Sequence, residues 1–272
     1  MTQLEERAVQ ILSSADGTRI TYDQQGAGRP ALILVDGAMC SRSSGSKPEL
    51  VGLLAAHFTV YSYDRRGRGD SGDTQPYSVE REVEDVAALI DAAGGTALLY
   101  GHSSGASLAL EAAVALGGQV SKLAMYEAPY NDDPAARQAW RQYICQLTEV
   151  LAAGRRGDAI ALFRAYTGVP AEQIEGMRKA PFWPAMEAIA PTLRYDHAAI
   201  LGEDGSVPAE RVARVAVPVL VMYGDASYPF MGETARTLSQ VIPRAQLRIL
   251  TGQSHNVSPA VLAPVLADFF AS

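Results

Sequence analysis

One serine sits between glycines placed two residues before and two after it, in Gly101-His102-Ser103-Ser104-Gly105. A serine hydroxyl is a poor nucleophile at neutral pH and needs a neighbouring base to take its proton. The run before it, 96–100, reads as a short apolar strand, and Ser104–Leu116 reads as an Ala- and Leu-rich helix closed by Gly117-Gly118. Strand, sharp turn and helix are the setting in which such a serine becomes reactive. Small flanking residues let strand and helix pass closely, which leaves the Ser103 hydroxyl exposed at a strand's carboxyl end. There the N–H of Ser104 faces the oxygen that gains negative charge when a carbonyl is attacked. Ser104 is the rival nucleophile, but the glycine spacing centres on Ser103.

The base must come from four histidines. His57 precedes a strand, far from the sheet's carboxyl edge. His102 lies inside the turn, with its ring expected to point away from the Ser103 hydroxyl, and His197 falls in a helical stretch. His255, in Gly252-Gln253-Ser254-His255-Asn256, lies between the last strand pattern and the last helix pattern, at the carboxyl edge beside Ser103. His255 is the expected base.

The elements that must position these two residues alternate, short apolar runs with longer helical ones, as in a mostly parallel sheet covered by helices on both faces. Strands are expected at 9–12, 19–23, Ala31–Val35, Thr59–Tyr63, 96–100, 122–126, 217–223 and 246–250, eight in all. Helices are expected at 48–56, Val79–Ala92, Ser104–Leu116, 233–241 and 259–270. From 135 to about 208 the chain is helical without a convincing strand. Trp140, Ile144, Leu147 and Leu151 recur there at helical spacing, and Pro181, Pro184 and Pro191 cut its later part into short pieces. The domain expectation is a core of 1–133 and 209–272 carrying a helical cap at 134–208.

Composition fits an ordinary globular chain. Of 272 residues, 48% are hydrophobic and 19% charged, enough to bury a full core, and the net charge of -7 argues against a nucleic-acid partner. No apolar run reaches the roughly 18 residues of a membrane helix, and residues 1–10 lack a secretory apolar region, so a cytoplasmic location is the default expectation. Cys40 and Cys145 have no metal-ligand spacing.

This order of elements resembles the α/β-hydrolase family over essentially the whole chain, with the helical stretch in the place of that family's cap. Asp64-Arg65-Arg66-Gly67-Arg68-Gly69-Asp70-Ser71-Gly72 resembles the family's D-x-R-G-x-G-x-S turn and is expected to be structural. The resemblance implies a triad acid after the penultimate strand, in a G-x-x-D pattern. Here that stretch is Gly224-Asp225-Ala226-Ser227, with serine at the acid position, so Asp225 qualifies only if the turn is rearranged. The family's second solution places the acid after the strand that follows the elbow helix, where this chain has Glu127, and Glu127 is preferred to Asp225. From either strand end a carboxylate reaches His255 Nδ1 and fixes its tautomer. The strand Ala31–Val35 ends in Asp36-Gly37-Ala38-Met39, where the family usually has His-Gly. A backbone N–H of Gly37 or Ala38 would pair with that of Ser104 as an oxyanion hole.

Asp36-Gly37, Glu127 and Pro181-Phe182-Trp183-Pro184 together resemble the zearalenone lactonases, which implies a Ser–His–Glu triad and a cap tryptophan, Trp183, against a lactone. Met39, Tyr130 and Met186 are expected to line the substrate pocket with it. Cap-to-core packing is the competing reading for Trp183 and Met186. The expected activity is hydrolysis of a small carboxylic ester or lactone through an acyl-enzyme, with no metal or organic cofactor required. Carbon–carbon bond hydrolysis and cofactor-free perhydrolysis run on the same triad, and a ligand-binding receptor built on the scaffold is the reading from another class.

Overall fold

The computed structural model describes residues 9–27, 30–45 and 47–272. The N-terminal stretch without an apolar region therefore lies, through residue 8, outside the described residues. Eight strands form one sheet: β1 (Gln10–Ser13), β2 (Arg19–Gln25), β3 (Ala31–Val35), β4 (Thr59–Tyr63), β5 (Ala97–His102), β6 (Val120–Tyr126), β7 (Val219–Gly224) and β8 (Ala245–Leu250). Their spatial order is β1-β2-β4-β3-β5-β6-β7-β8. From β4 to β8 every neighbouring pair is parallel, and only β1 with β2 and β2 with β4 run antiparallel. The eight expected strands are all present, Ala31–Val35 and Thr59–Tyr63 with the expected ends and the others with ends shifted by at most two residues.

Successive residues of a strand face opposite sides, and the core divides accordingly. Ile33, Val35, Leu99, Leu123, Met125 and Val221 pack with helices α2 (Val79–Ala92), α3 (Ser104–Leu116) and α9 (Pro229–Val241). Leu32, Leu34, Leu98, Ala124 and Met222 pack with α1 (Lys47–Leu54) and α10 (Pro259–Ala271) on the other side. Burial on both faces explains the near-continuous apolar runs of the central strands.

Between β6 and β7 lie the inserted helices α4 (Pro134–Ala152), α5 (Arg156–Tyr166), α6 (Ala171–Arg178) and α7 (Trp183–Ile189), then a π-helical turn at Tyr195–Ile200 and the short α8 (Ala209–Val212). Asp133 opens α4, accepting from the Ala136 N–H at 2.9 Å, with Pro134 in the first turn where its missing N–H costs nothing. Of the anticipated stripe on α4, Trp140 and Leu147 are buried against the core and Ile144 and Leu151 are partly buried. Trp140 also donates from Nε1 to the Gly202 carbonyl at 2.9 Å, tying α4 to the end of the insertion. Among the described residues, no helix is long and apolar enough to cross a membrane.

Candidate active site

The carboxyl ends of β3, β5, β6, β7 and β8 converge, and each contributes to one cluster of side chains. After β5 the chain turns at Ser103 with φ of 57° and ψ of -133°, a left-handed conformation that strains any residue with a Cβ. The turn is possible because its flanks are glycine: a Cβ on Gly101 would lie 2.5 Å from Ala106 Cα, and one on Gly105 would lie 2.3 Å from the Val35 carbonyl oxygen.

Ser103 Oγ and His255 Nε2 are 3.2 Å apart, and His255 Nδ1 is 2.6 Å from Glu127 Oε2. With Nδ1 donating to an ionised carboxylate, Nε2 is left as an acceptor for the serine hydroxyl. The carboxylate is well furnished. Glu127 Oε1 accepts from the Gly224 N–H at 2.9 Å, and Oε2 accepts from Ser227 Oγ at 2.8 Å. Burial acts to raise the Glu127 carboxyl, but the bonds from His255, Gly224 and Ser227 outweigh it and hold it below its ordinary value. Glu127 also sits at φ of 51°, another strained backbone at the same cluster. Asp225 is elsewhere: exposed, it accepts from the Gly252 N–H at 2.6 Å and so braces the β8 loop.

Two groups fix the loop that carries His255. Tyr126 donates from its hydroxyl to the Ser254 carbonyl at 2.6 Å, and His102 Nε2 donates to the carbonyl of His255 at 2.9 Å. Burial, with His255 adding to it, pushes the His102 imidazole down to about 4. It is therefore neutral near pH 7 and able to keep that bond without competing as a second cation.

On the other side of Ser103 lies the loop after β3. Gly37 is against the serine: a Cβ there would fall 2.9 Å from Ser103 Cβ and 3.4 Å from its Oγ. Arg65 Nη1 donates to the Asp36 carbonyl at 3.0 Å and Arg68 Nη1 to the Gly37 carbonyl at 2.7 Å. In a trans peptide the next residue's N–H points opposite to the carbonyl, so the N–H groups of Gly37 and Ala38 are both turned away from the arginines. Among the described residues, neither they nor the Ser104 N–H donate to a protein acceptor. Met39 follows at φ of 61°, and the Asp36 carboxylate pairs with Lys47.

Residues 34–266 match the model of the alpha/beta hydrolase family. The chain belongs to that family. Among solved structures it is similar to an alpha/beta hydrolase from Sphaerobacter thermophilus DSM 20745, at 47% identity over 96% of this chain and 100% of that one, with a TM-score of 0.83. The esterase RhEst1 from Rhodococcus sp. ECU1013 shares the fold at 23% identity, covering 97% of this chain and 99% of that one, with a TM-score of 0.68. A curated relative from Azorhizobium caulinodans, named "Putative carbamate hydrolase RutD", is 36% identical over 104 residues. That match spans 38% of this chain and 38% of the relative's own length.

The expected pocket residues of this alpha/beta hydrolase divide. Trp183 is buried on Ile160 and Ala190, with Met39, Met177 and Met186 packed at the edge of the same cluster. Met39 belongs to the loop after β3, so this apolar cluster joins the insertion to the site. Tyr130 does not line a pocket, contrary to expectation. It is wholly buried in the main core, and its carbonyl accepts from Thr234 Oγ1 of α9, so it has no surface to offer a substrate. Among the described residues, no group of three His, Cys, Asp or Glu side chains is placed to hold a metal ion. The sequence does not foretell Ser227 on Glu127, Tyr126 and His102 on the loop that carries His255, or Arg65 and Arg68 on the Asp36 and Gly37 carbonyls. Only the crowd of arginines in 65–68 signals any of this.

Proposed function

We propose that this alpha/beta hydrolase cleaves small carboxylic esters through an acyl-enzyme, with Ser103 as nucleophile, His255 as base and Glu127 as the acid that orients it. The observation that carries this reading is the continuous line Ser103 Oγ, His255 Nε2, His255 Nδ1, Glu127 Oε2, with spacings of 3.2 and 2.6 Å. The inserted segment 134–208 acts as the cap. An ester enters beneath it, and its carbonyl oxygen is polarised by the N–H of Ser104 together with one from Gly37 or Ala38. Ser103 Oγ bonds to the carbonyl carbon as His255 Nε2 takes the hydroxyl proton. The carbon–oxygen bond to the alcohol then breaks, and the alcohol departs with that proton. Water, deprotonated by His255, attacks the acyl-enzyme, and Ser103 leaves with the proton returned to it.

The left-handed backbone at Ser103 and the ionised, thrice-bonded Glu127 support the same reading. Met39 and Met186, partly exposed at the edge of the Trp183 cluster, favour a substrate with apolar bulk, and the residues that resemble the zearalenone lactonases make a lactone the ester to test first. In that case the alcohol stays tethered and hydrolysis opens the ring. The partial likeness to a relative named for carbamate hydrolysis adds carbamates to the panel.

The test is a turnover screen of aryl esters, alkyl esters, lactones and carbamates against wild type and Ser103→Ala. Steady turnover of p-nitrophenyl acetate by wild type, abolished in Ser103→Ala, is expected. Tight ligand binding with at most one slow turnover would replace this reading with that of a receptor.

A further inference from the structure

Asp196 lies in the insertion, on the π-helical turn Tyr195–Ile200, and is completely buried. A buried carboxylate survives only where charges and donors surround it. Three reach this one: Arg65 Nη1 at 2.7 Å from Oδ1, Arg68 Nη2 on Oδ2, and Ser104 Oγ, which donates to Oδ1 at 2.8 Å. Burial by itself would raise the carboxyl. The two guanidiniums, then His197 and the Ser104 hydroxyl, hold it instead down to about 2, so Asp196 is charged near neutral pH.

Each of those donors also touches the apparatus on the carbonyl-polarising side of Ser103. Ser104 carries one of the free N–H groups, while Arg65 and Arg68 grip the carbonyls whose peptides present the N–H groups of Gly37 and Ala38. The arginines depend on Asp196 unequally. Arg65 is held independently by Glu82 through bonds of 2.7 and 2.6 Å, whereas Asp196 is the one carboxylate paired with Arg68 among the described residues. Both guanidiniums are buried, so neither can exchange a lost partner for water.

We infer that Asp196 is a positioning residue for carbonyl polarisation: by holding Arg68 on the Gly37 carbonyl and Ser104 at the head of α3, it aligns both halves of the oxyanion hole. Because Asp196 belongs to the insertion and the groups it aligns belong to the core, the hole is complete only while the insertion is seated. This rests on the proposed role of Ser103 as nucleophile. An ion cluster that merely glued insertion to core would set stability and leave each folded molecule's catalysis alone. A positioning role acts on the transition state.

The experiment compares wild type with Asp196→Asn, which keeps the shape and removes the charge, and with Ser104→Ala, which keeps the N–H and removes the hydroxyl link. Active sites are titrated with a fluorophosphonate that labels Ser103, so rates are counted per competent site. Turnover of p-nitrophenyl acetate is read beside inhibition by phenylboronic acid, whose tetrahedral serine adduct puts an anionic oxygen in the hole. For Asp196→Asn, kcat and kcat/KM should fall together by about 10²-fold, the signature of an interaction made in the transition state, with a matching loss of boronate affinity. Ser104→Ala, which preserves the ion pairs and so the fold, should lose about tenfold in both readouts, less than the loss of a whole donor. Per-site rates and boronate affinity within about threefold of wild type in both variants would overturn the inference, whatever happens to Tm. If wild type itself is not labelled at Ser103, the reading of the site falls and this inference with it.

Discussion

The two sides of Ser103 are built differently. On the proton-transfer side everything belongs to the core sheet: Glu127 follows β6, Gly224 and Ser227 follow or end β7, and His255 follows β8. His255 is partly open, with its side chain 29% exposed, and its line to Glu127 is a chain of single hydrogen bonds. On the proposed carbonyl-polarising side the donors would be backbone N–H groups, and a dry ionic cluster holds the neighbouring carbonyls of Asp36 and Gly37. Arg65, Arg68 and Asp196 are all but inaccessible, and one of the three comes from the insertion. In the proposed mechanism, a base that must gain and lose a proton is thus kept near water on the sheet. On the proposed account, dipoles that must not move are locked by buried charges, of which Arg68 has Asp196 as its one carboxylate partner among the described residues while Arg65 is also held by Glu82.

If the proton-transfer side is as described, His255→Gln should lower kcat/KM by roughly 10⁶-fold, since a member of a nucleophile–base unit costs nearly as much as the whole unit. Its Tm should hardly move, because the ring makes no large core contact. A smaller effect sharpens the role of Ser227. Ser227→Ala removes one of the bonds that lower the Glu127 carboxyl, so that group should titrate higher. Loss of rate on the acid side should then begin at a higher pH than in wild type, with turnover near neutrality reduced by less than about tenfold for one lost hydrogen bond. An unchanged acid limb would mean that Ser227 merely fills space.

The smallest effect concerns the insertion. Burial drives the His197 imidazole down to about 4, against about 6.5 for an unfolded histidine. Between those values the unfolded chain binds more protons, so the stability present above about 6.5 shrinks as pH falls and is lost below about 4. His197→Gln should therefore show a shallower decline of Tm from pH 7 to 4 than wild type. His102, also depressed to about 4, contributes in the same direction and remains in both proteins. Equal declines in the two proteins would contradict the burial argument for His197.

The same contrast explains what could be read from the sequence. Ser103, His255 and Glu127 each stand just past a strand end, where period and glycine pattern reveal the position, and a parallel sheet brings such ends together. The preference for Glu127 over Asp225 comes from a missing acid at residue 227. The structure turns that serine toward Glu127 at 2.8 Å, a contact no spacing rule encodes. Asp196 leaves no trace in the pattern. It is separated from Ser104 by 92 positions and from Arg68 by 128, on an irregular turn of the insertion whose docking only tertiary packing decides. Tyr130, expected to line the pocket, is instead wholly buried in the main core, a difference that only packing decides.

The most direct measurement sets Glu127→Gln beside Asp225→Asn, with turnover of one ester followed in both. Glu127→Gln should lose about 10⁴-fold in kcat, the scale seen when the residue that fixes the base's tautomer is neutralised, while Asp225→Asn should keep a rate close to wild type. A near wild-type rate for Glu127→Gln, or a collapse in Asp225→Asn, would mean that His255 is oriented by something other than the carboxylate 2.6 Å from its Nδ1.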